Sequence, residues 1–538
     1  MAKTPLFRIL MSAWNQQKQK QNWNPDRRDF LHKTGFAAGG LAAGPLLSAC
    51  SILNPSSQTG TRKTGALDLE NQNQVIIIGA GSAGLAAAYK LSQKGISCRV
   101  YEALGDRVGG RMWTLRRFNS DGMFVEMGGE LVDAGHENVR AFCKDLNLEM
   151  EQFSKEQNIA EELFWIEGSL RSSKDLEREL KPLYNYLRAC IQEIKGSAQE
   201  LDISWNNPMN ASQFDQMNLS QFLDKCPDLA KWVRKVVEIA YTGEMGLDPE
   251  DQSALNLITL MVPDVKDGHL LFGESDEGFR VKGGNGQIPE KIADKLDEKY
   301  GTREKWLSSH HRLDAIRNRG NDFVLSFSSG NGPVEVKAEQ VIFAIPFSVL
   351  RKIEGIAKLG LHPKKLSSIM ELGYGTNSKL MTGFKSRFWR DPKKIKKAYS
   401  GALFTDQASQ AFWETSRLQS GKQGIITNFT GGAQGKKISK QMLAEPLEDL
   451  KVLSPLFKKE AQPFPQLMNW SQSPFAGGSY ICLKPGQYTQ FYGVESEVEL
   501  KNRLFFAGEH TSTVAPGFME GALESGVRVA QQVVDSRK

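Results

Sequence analysis

A glycine-rich turn near residue 80 has the spacing of a phosphate-binding loop. An apolar run, 75–78, leads directly into the pattern G-A-G-S-A-G, which lets a backbone turn tightly and approach a phosphate closely. Glu102 closes the next apolar run, near the spacing at which a carboxylate accepts hydrogen bonds from ribose hydroxyls. The pattern predicts a dinucleotide site, with an acid that disfavours a 2′-phosphate. The loop residues assigned to this site are Gly79, Gly81, Ser82 and Gly84.

The turn requires a strand before it and a helix after it. The apolar run predicts a buried parallel strand, and a helix is predicted from about 82 to 94. A second strand is predicted over 97–101. The free amides and the positive dipole end at the helix N-terminus favour a bound phosphate.

A second turn, rich in glycine and arginine, follows Glu102. It spans 105–111, and arginines beside a flexible turn can donate charge-assisted hydrogen bonds to a diphosphate. The turn resembles the second glycine motif of the glutathione-reductase-like FAD proteins, especially the flavin amine oxidases. This resemblance implies FAD and argues against a plain NAD dehydrogenase. Its binding candidates are Arg107, Gly109, Gly110 and Arg111.

Three further stretches resemble the flavin-containing amine oxidases, the family of monoamine, polyamine and L-amino-acid oxidases. The likeness covers 75–534. Lys379 matches the family lysine that holds a water beside the flavin. Tyr480 and Phe518 match the two walls of the family's aromatic cage, which would orient a neutral amine and exclude water. The resemblance therefore implies that Lys379, Tyr480 and Phe518 are the catalytic residues.

The C-terminal part of the resemblance implies more cofactor contacts. The run 504–509 is similar to the family strand and acid that meet the ribityl chain, so Gly508 and Glu509 are assigned to FAD. The backbone amide of Met519 opens a predicted helix and is assigned to the flavin pyrimidine. Covalent family members have a cysteine where this chain has Ser479. The resemblance therefore implies noncovalent FAD.

The predicted fold class is α/β. A glutathione-reductase-like, Rossmann-type FAD-binding domain is expected to interleave with an α+β substrate domain that has a helical insertion. The predicted segments are 74–135, 263–346 and 471–538 for FAD binding, and 136–262 and 347–470 for the substrate domain, the first of these mainly helical.

The N-terminal residues predict an export signal. The segment 27–33 resembles a twin-arginine signal, and a short Gly/Ala-rich apolar stretch follows it. The stretch ends at Cys50, in a sequence that resembles a bacterial lipoprotein cleavage box. Segment 1–50 is therefore interpreted as a signal for the twin-arginine export machinery, and 51–73 as a flexible tether. The predicted location is periplasmic, or tethered to the membrane through a lipidated Cys50.

Composition excludes several classes of protein. The 538 residues are 40% hydrophobic and 24% charged, which is typical of a globular protein and not of a disordered one. The first 50 residues contain seven basic and two acidic residues, which leaves 61 basic and 60 acidic in the remainder. This near-neutral remainder favours neither nucleic acid nor an acidic surface as a partner. The cysteines after Cys50 have no metal-site spacing and are predicted to be buried thiols, so no metal is expected.

The resemblance predicts an enzyme that oxidises an amine C–N bond to an imine and reduces O2 to H2O2. The first alternative is an L-amino-acid oxidase or a tryptophan 2-monooxygenase-like enzyme. Either would require a cation for the substrate carboxylate, and Arg116, Arg117 or another basic side chain could supply it. A desaturase or protoporphyrinogen-type oxidase is more distant. The alternative from another class is a lipid-tethered flavin protein without turnover.

Overall fold

The computed structural model describes residues 74–156, 163–261, 277–395 and 402–538. The predicted signal, the tether and Cys50 lie outside the described residues. The strands are β1 (Val75–Ile78), β2 (Cys98–Tyr101), β3 (Thr114–Leu115), β4 (Val125–Glu126), β5 (Met150–Gln152), β6 (Leu163–Ile166), β7 (Ser169–Ser172), β8 (Phe279–Val281), β9 (Leu307–Ser308), β10 (His311–Arg319), β11 (Asp322–Ser329), β12 (Gly332–Ala338), β13 (Val341–Phe343), β14 (Ser378–Phe384), β15 (Leu403–Thr405), β16 (Ala411–Glu414), β17 (Gly424–Thr430), β18 (Gln466–Asn469) and β19 (Leu504–Phe506). The α-helices are Ser82–Gln93, Glu137–Asp145, Ser173–Glu179, Lys181–Lys195, Ser212–Asp215, Leu219–Asp224, Lys231–Met245, Leu255–Leu260, Gln287–Tyr300, Phe347–Leu350, Pro363–Glu371, Gly432–Lys437, Ala444–Leu450, Leu456–Glu460, Gln487–Phe491 and Met519–Ser536.

A five-stranded parallel sheet, in the order β19-β13-β1-β2-β9, forms the first layer. Alternate residues of β1 face opposite sides of this sheet, since side chains of a strand alternate between its faces. Val75 and Ile77 pack on the side that holds the first helix, Ser82–Gln93, and the C-terminal helix, Met519–Ser536. The two helices approach closely, because a Cβ on Gly526 would lie 2.4 Å from the carbonyl oxygen of Ala83.

The strand order places the glycine loop at a crevice. β1 is followed by β2 on one side of the sheet, whereas β13 and β19 lie on the other side. Ligands of open parallel sheets bind at the carboxyl ends of the strands, at the point where the strand order reverses. The loop after β1 stands at that point.

A seven-stranded mixed sheet forms the second large layer, in the order β18-β14-β17-β16-β15-β6-β7. The β15–β6 pair is parallel and the other neighbours are antiparallel. β14 lies between β17 and β18, and each of its residues is buried. A smaller antiparallel sheet, β10-β11-β12, lies beside the parallel sheet.

The described part of segment 136–262 is mainly helical, as predicted, but it also contains strands that the sequence did not predict. Its strands β6 and β7 form one edge of the seven-stranded sheet. Its first helix, Glu137–Asp145, packs into the core of the parallel sheet through Val139 and Phe142. Apolar residues at helical spacing show that a helix is packed, but they do not show against which layer. The predicted end of the segment, Val262, lies outside the described residues.

The local predictions around the glycine loop agree with the structure, and the mixed α/β class is confirmed. The strand 75–78 is found, and the helix begins at Ser82 and ends at Gln93. Cys98, Cys143, Cys190, Cys226 and Cys482 are buried thiols. Within the described ranges, no helix combines the length and the apolar character needed to cross a membrane.

Candidate active site

A cavity of about 750 Å³ lies between the parallel sheet and the seven-stranded sheet. Most of the predicted site residues border this cavity, although they are spread over the whole described chain. The predicted residues that border it are Gly79, Gly81, Ser82, Glu102, Arg107, Gly109, Gly110, Arg111, Lys379, Tyr480, Gly508, Glu509, Phe518 and Met519. Gly84 is not among the lining residues, so its predicted contact with the cofactor is not supported.

The three glycines of the first loop have different physical roles. Gly79 has φ +103°, and a Cβ there would lie 2.8 Å from the carbonyl oxygen of Ala344. Gly84 permits close packing, since its Cβ would lie 2.0 Å from the Gly79 carbonyl oxygen. A Cβ on Gly81 would meet no atom within 4 Å. Because Gly81 also borders the cavity, this open space is available to a phosphate.

The Glu102 carboxylate fixes the loop at the end of β2. Its Oε2 accepts from the amide of Ala80 at 2.6 Å, and its Oε1 accepts from the amide of Leu104 at 2.8 Å. Burial raises the pKa of Glu102, while the hydrogen bonds from these amides and the charge of Arg107 oppose that rise. The carboxylate thus holds the turn in place and presents an acceptor to the cavity.

The arginine turn joins the two ends of the chain. Arg111 Nη1 donates to the carbonyl oxygen of Ser479 at 2.7 Å and to Glu509 Oε1 at 3.0 Å. Arg107 Nη1 donates to the carbonyl oxygen of Gly110 at 2.7 Å, and its guanidinium lies 4.5 Å from the centroid of the Trp113 ring. Both cations border the cavity, where they are placed to face a diphosphate.

The C-terminal helix directs its N-terminus at the same cavity. Met519 is its first residue and follows the N-cap Phe518. The amide of Met519 has no carbonyl one turn earlier in the helix to accept from it. The carboxylate of Glu520 points elsewhere, because it accepts from the amides of Asn138 and Val139 at 2.9 Å each. The helix N-terminus is therefore positioned to favour negative charge in the cavity.

Lys379 is buried on β14 with all three ammonium donors engaged. Its Nζ donates to the carbonyl oxygens of Glu126 at 3.2 Å and Gly128 at 2.8 Å, and to Glu130 Oε2 at 2.8 Å. The Trp413 ring lies 5.4 Å from the same Nζ, and its Nε1 donates to Glu130 Oε2 at 3.2 Å. The predicted water-holding role of Lys379 remains a prediction.

The two predicted cage residues border the cavity from different elements. The Tyr480 hydroxyl donates to the carbonyl oxygen of Gly243 at 2.8 Å, so the ring is held from the helix Lys231–Met245. The Phe518 ring makes an edge contact with His136, with centroids 5.4 Å apart. Both residues keep part of their surface accessible beside the cavity.

Arg116 and Arg117, the arginines considered for binding an amino-acid carboxylate, lie outside the cavity lining. Arg116 forms a two-point hydrogen-bonded ion pair with Glu290 at 2.7 and 2.9 Å, with both side chains more than 40% exposed. Neither Arg116 nor Arg117 is among the residues that line the cavity. This cavity therefore does not favour Arg116 or Arg117 over another basic side chain as the group that would bind a substrate carboxylate.

Among the lining residues that were not predicted from the sequence are Glu130, Asn377, Trp413 and His510. Glu130 follows Gly128 and Gly129 directly, so a carboxylate next to a glycine pair was the available signal. Asn377 and Trp413 had no local signal. Burial, followed by the charge of Arg111, lowers the pKa of His510 well below its usual range. This histidine is therefore neutral near pH 7.

The Glu126 carboxyl group, on β4, lies next to this cluster. It accepts from the amide of Asn285 at 2.7 Å and from Thr114 Oγ1 at 2.8 Å. Complete burial raises its pKa to about 7, and the charge of Glu130 adds to the rise.

These features fit a bound flavin dinucleotide. The open space at Gly81, the acceptor at Glu102, the two arginines and the helix N-terminus at Met519 match the phosphates, ribose and electron-rich ring of such a cofactor. The parallel sheet with this crevice defines a flavin-binding oxidoreductase of the Rossmann-type class.

Comparison with known proteins gives the family. The family model described as flavin containing amine oxidoreductase matches residues 82–534, and the chain belongs to this family. It is 27% identical to flavin-containing amine oxidase B of Homo sapiens over 486 residues, 87% of each chain. It is 25% identical to flavin-containing amine oxidase A of Sus scrofa, over 86% of this chain and 85% of that relative. The protein is a flavin oxidoreductase that acts on amines.

Solved structures show the same fold. A putrescine oxidase bound to putrescine has a TM-score of 0.69 and 20% identity, and the match covers 86% of this chain and 99% of that chain. Cyclohexylamine oxidase from Brevibacterium oxydans IH-35A has a TM-score of 0.68 and 19% identity, with the same coverage.

Proposed function

We propose that this protein is an FAD-dependent amine oxidase that converts an amine to an imine and reduces O2 to H2O2. The observation that supports this proposal is the meeting of Lys379, Tyr480 and Phe518 in the cavity that also contains the glycine loop. A primary amine would give an imine that hydrolyses to a carbonyl compound and ammonia.

FAD held by the glycine loop, Glu102 and the arginine turn would supply the acceptor for a hydride equivalent from the amine and the means of passing the electrons to O2. The chain's own residues bind and orient the substrate. Tyr480 and Phe518 supply aromatic surface that excludes water and aligns a neutral amine. Holding the reacting carbon at a near-attack distance lowers the barrier by several kcal/mol. Lys379 supplies a fixed cation at the edge of the same space.

The cofactor in this proposal is noncovalent. The Ser479 hydroxyl donates to Asn377 Oδ1 at 2.7 Å, and a hydroxyl is a far weaker nucleophile than a cysteine thiolate. Acid precipitation of the purified protein should leave the flavin in the supernatant. Flavin that remains in the protein pellet would contradict noncovalent binding.

The amino-acid alternatives are less favoured, because Lys379, a cation that borders the cavity together with the aromatic residues, is already paired. Lys379 is bound by the Glu130 carboxylate. A lipid-tethered flavin protein without turnover would hold FAD that no small molecule reduces.

Anaerobic mixing separates these functions. Flavin-loaded protein is mixed with separate pools of amines and L-amino acids, and the flavin absorbance is followed. Bleaching by amines, followed by peroxide when air enters, supports the proposal. Bleaching by amino acids alone would support the alternative, and bleaching by neither would favour a protein without turnover on these substrates.

We also propose that the protein is exported by the twin-arginine route and anchored through Cys50. The motif with Arg27 and Arg28, followed by Cys50, supports this. Metabolic labelling with a radioactive fatty acid should mark the wild type and not Cys50→Ser. Export that persists when both arginines are changed to lysine would contradict the route.

A further inference from the structure

Glu130 is a carboxylate in the wall of the cavity. It borders the cavity with Lys379 and Trp413, and its side chain is 7% exposed. The backbone just before it approaches the cavity closely, since a Cβ on Gly129 would lie 2.6 Å from Met519 Cγ. Glu130 therefore borders the cavity directly after a glycine that packs against Met519, the first residue of the C-terminal helix.

One oxygen of this carboxylate holds two donors. Glu130 Oε2 accepts from Lys379 Nζ at 2.8 Å and from Trp413 Nε1 at 3.2 Å. The remaining donors of the lysine are held by the carbonyl oxygens of Glu126 and Gly128. Lys379 thus has no donor left for a substrate carboxylate unless an existing hydrogen bond breaks.

The negative charge of Glu130 also disfavours a substrate that carries a carboxylate. An α-amino acid differs from the corresponding amine by one carboxylate, which would face the Glu130 carboxylate in a site of low dielectric. Like charges in contact are a common means of excluding a wrong ligand. The arginine of the same cavity nearest in sequence, Arg111, is already paired with Glu509.

We propose that Glu130 determines the substrate class by neutralising Lys379, so that the site accepts amines and rejects α-amino acids. This inference rests on the proposed amine oxidase function. Glu130 is here a specificity-determining residue, and the C–H bond cleavage does not require it.

The test uses pairs of substrates that differ only by the α-carboxylate, such as tryptamine with tryptophan and phenethylamine with phenylalanine. Wild-type holoenzyme should prefer each amine in kcat/KM by at least about 100-fold. Glu130→Gln keeps the shape and an acceptor but removes the charge. It should reduce that preference at least tenfold, mainly by lowering KM for the amino acid. A wild type that prefers the amino acid would overturn the proposal without any variant.

Benzoate provides a second measurement that does not depend on turnover. Its Kd is obtained from the change it causes in the flavin absorbance. Glu130→Gln should bind benzoate at least tenfold more tightly than the wild type. In the double variant Glu130→Gln/Lys379→Met this gain should disappear. An unchanged Kd in a flavin-loaded Glu130→Gln protein would overturn the proposal.

Two controls separate charge from structure. Glu495→Gln changes a buried carboxylate outside the cavity lining, and it should leave both the substrate ratio and the benzoate Kd at wild-type values. Glu130→Asp keeps the negative charge and should keep the preference for amines. If Glu130→Asp accepts amino acids as readily as Glu130→Gln does, the length of the side chain and not its charge determines the substrate preference. The proposal would then be wrong.

The proposed function and this inference fail in different ways. If no amine bleaches the wild-type flavin, amine oxidation is contradicted, and the benzoate titration still decides the role of Glu130. If amines bleach the flavin but Glu130→Gln changes neither the ratio nor the benzoate Kd, only the inference is wrong.

Discussion

Lys379 and Lys365 are both buried lysines, and they differ in what surrounds the ammonium group. Lys379 contacts a carboxylate and borders the cavity. Lys365 is 0% exposed and donates to the carbonyl oxygens of Glu495 at 3.0 Å and Glu497 at 2.8 Å. The Phe506 ring lies 4.1 Å from its Nζ, and Lys365 does not border the cavity.

The difference shows that burial of a charge does not by itself mark a functional site. Lys365 ties the helix Pro363–Glu371 to the turn before β19. Burial lowers the pKa of Lys365 and raises that of Glu495. Lys379 is also surrounded by protein, but its carboxylate partner faces open space. Access to a cavity, and not burial, distinguishes Lys379 from Lys365 and makes Lys379 the candidate for a functional role.

The largest effect is expected from Lys379→Met. Removing a fixed cation from a site where charge develops costs about 100-fold in rate. We expect reoxidation of the reduced flavin by O2 to slow by about that factor, while the spectrum of the bound flavin stays nearly intact. Stopped-flow mixing with oxygen measures it. If flavin reoxidation is as fast in Lys379→Met as in the wild type, Lys379 has no role in that step. Lys379 would then be a structural lysine, as Lys365 is.

Lys365→Met should affect stability instead. Methionine fills a similar volume but donates to neither carbonyl, and leaving buried acceptors unpaired costs about 2 to 4 kcal/mol of unfolding free energy. Denaturant titration measures this loss, and turnover per bound flavin should remain that of the wild type. A large fall in turnover per flavin would show that the buried charge also acts on the site.

The carboxyl group near Lys379 gives a pH dependence. Burial raises the pKa of Glu126 from 4.5 to about 7. The folded state therefore holds a proton that the unfolded state releases above pH 4.5, so this stabilising contribution is lost as pH rises towards 7. Between pH 5 and 7.5 the wild type should lose up to about 3 kcal/mol more unfolding free energy than Glu126→Gln. Denaturant titrations at several pH values test this, with the exposed Glu290→Gln as control. Parallel pH curves for wild type and Glu126→Gln would contradict the raised pKa.

The smallest effect is expected from Tyr480→Phe. The variant keeps the ring and loses one hydrogen bond to the carbonyl oxygen of Gly243. That oxygen still accepts from Asn377 Nδ2 at 2.8 Å, so it is not left unpaired. The cost is about 1 kcal/mol, and kcat/KM should fall by less than about tenfold. A fall as large as that of Lys379→Met would show that the hydroxyl, and not the ring, is the essential group.

The parts of the fold that the sequence predicts are local ones. The strand 75–78 and the helix from Ser82 follow from an apolar run and a glycine turn. The strand-like residues 334–345 are divided in the structure between β12 and β13, which belong to different sheets. A short apolar run does not specify its partner strand.

In the candidate site, too, the sequence predicts local features but not contacts between distant elements. Glycines and arginines near the cofactor side were found because they follow one another in the sequence. Glu130 was missed because its partners, Lys379 and Trp413, come from strands that lie some 250 and 283 residues later. Side-chain pairing across elements depends on the assembled sheets.

The ion pair between Arg111 and Glu509 joins residues that are 398 positions apart in the sequence. It can form only after the C-terminal segment has been synthesised. Because the loop after β19 and the start of the C-terminal helix form one wall of the cavity, a nascent chain has no complete cofactor site until its last segment leaves the ribosome. Flavin loading is therefore post-translational, and a chain truncated before β19 lacks this wall whatever the stability of the remainder.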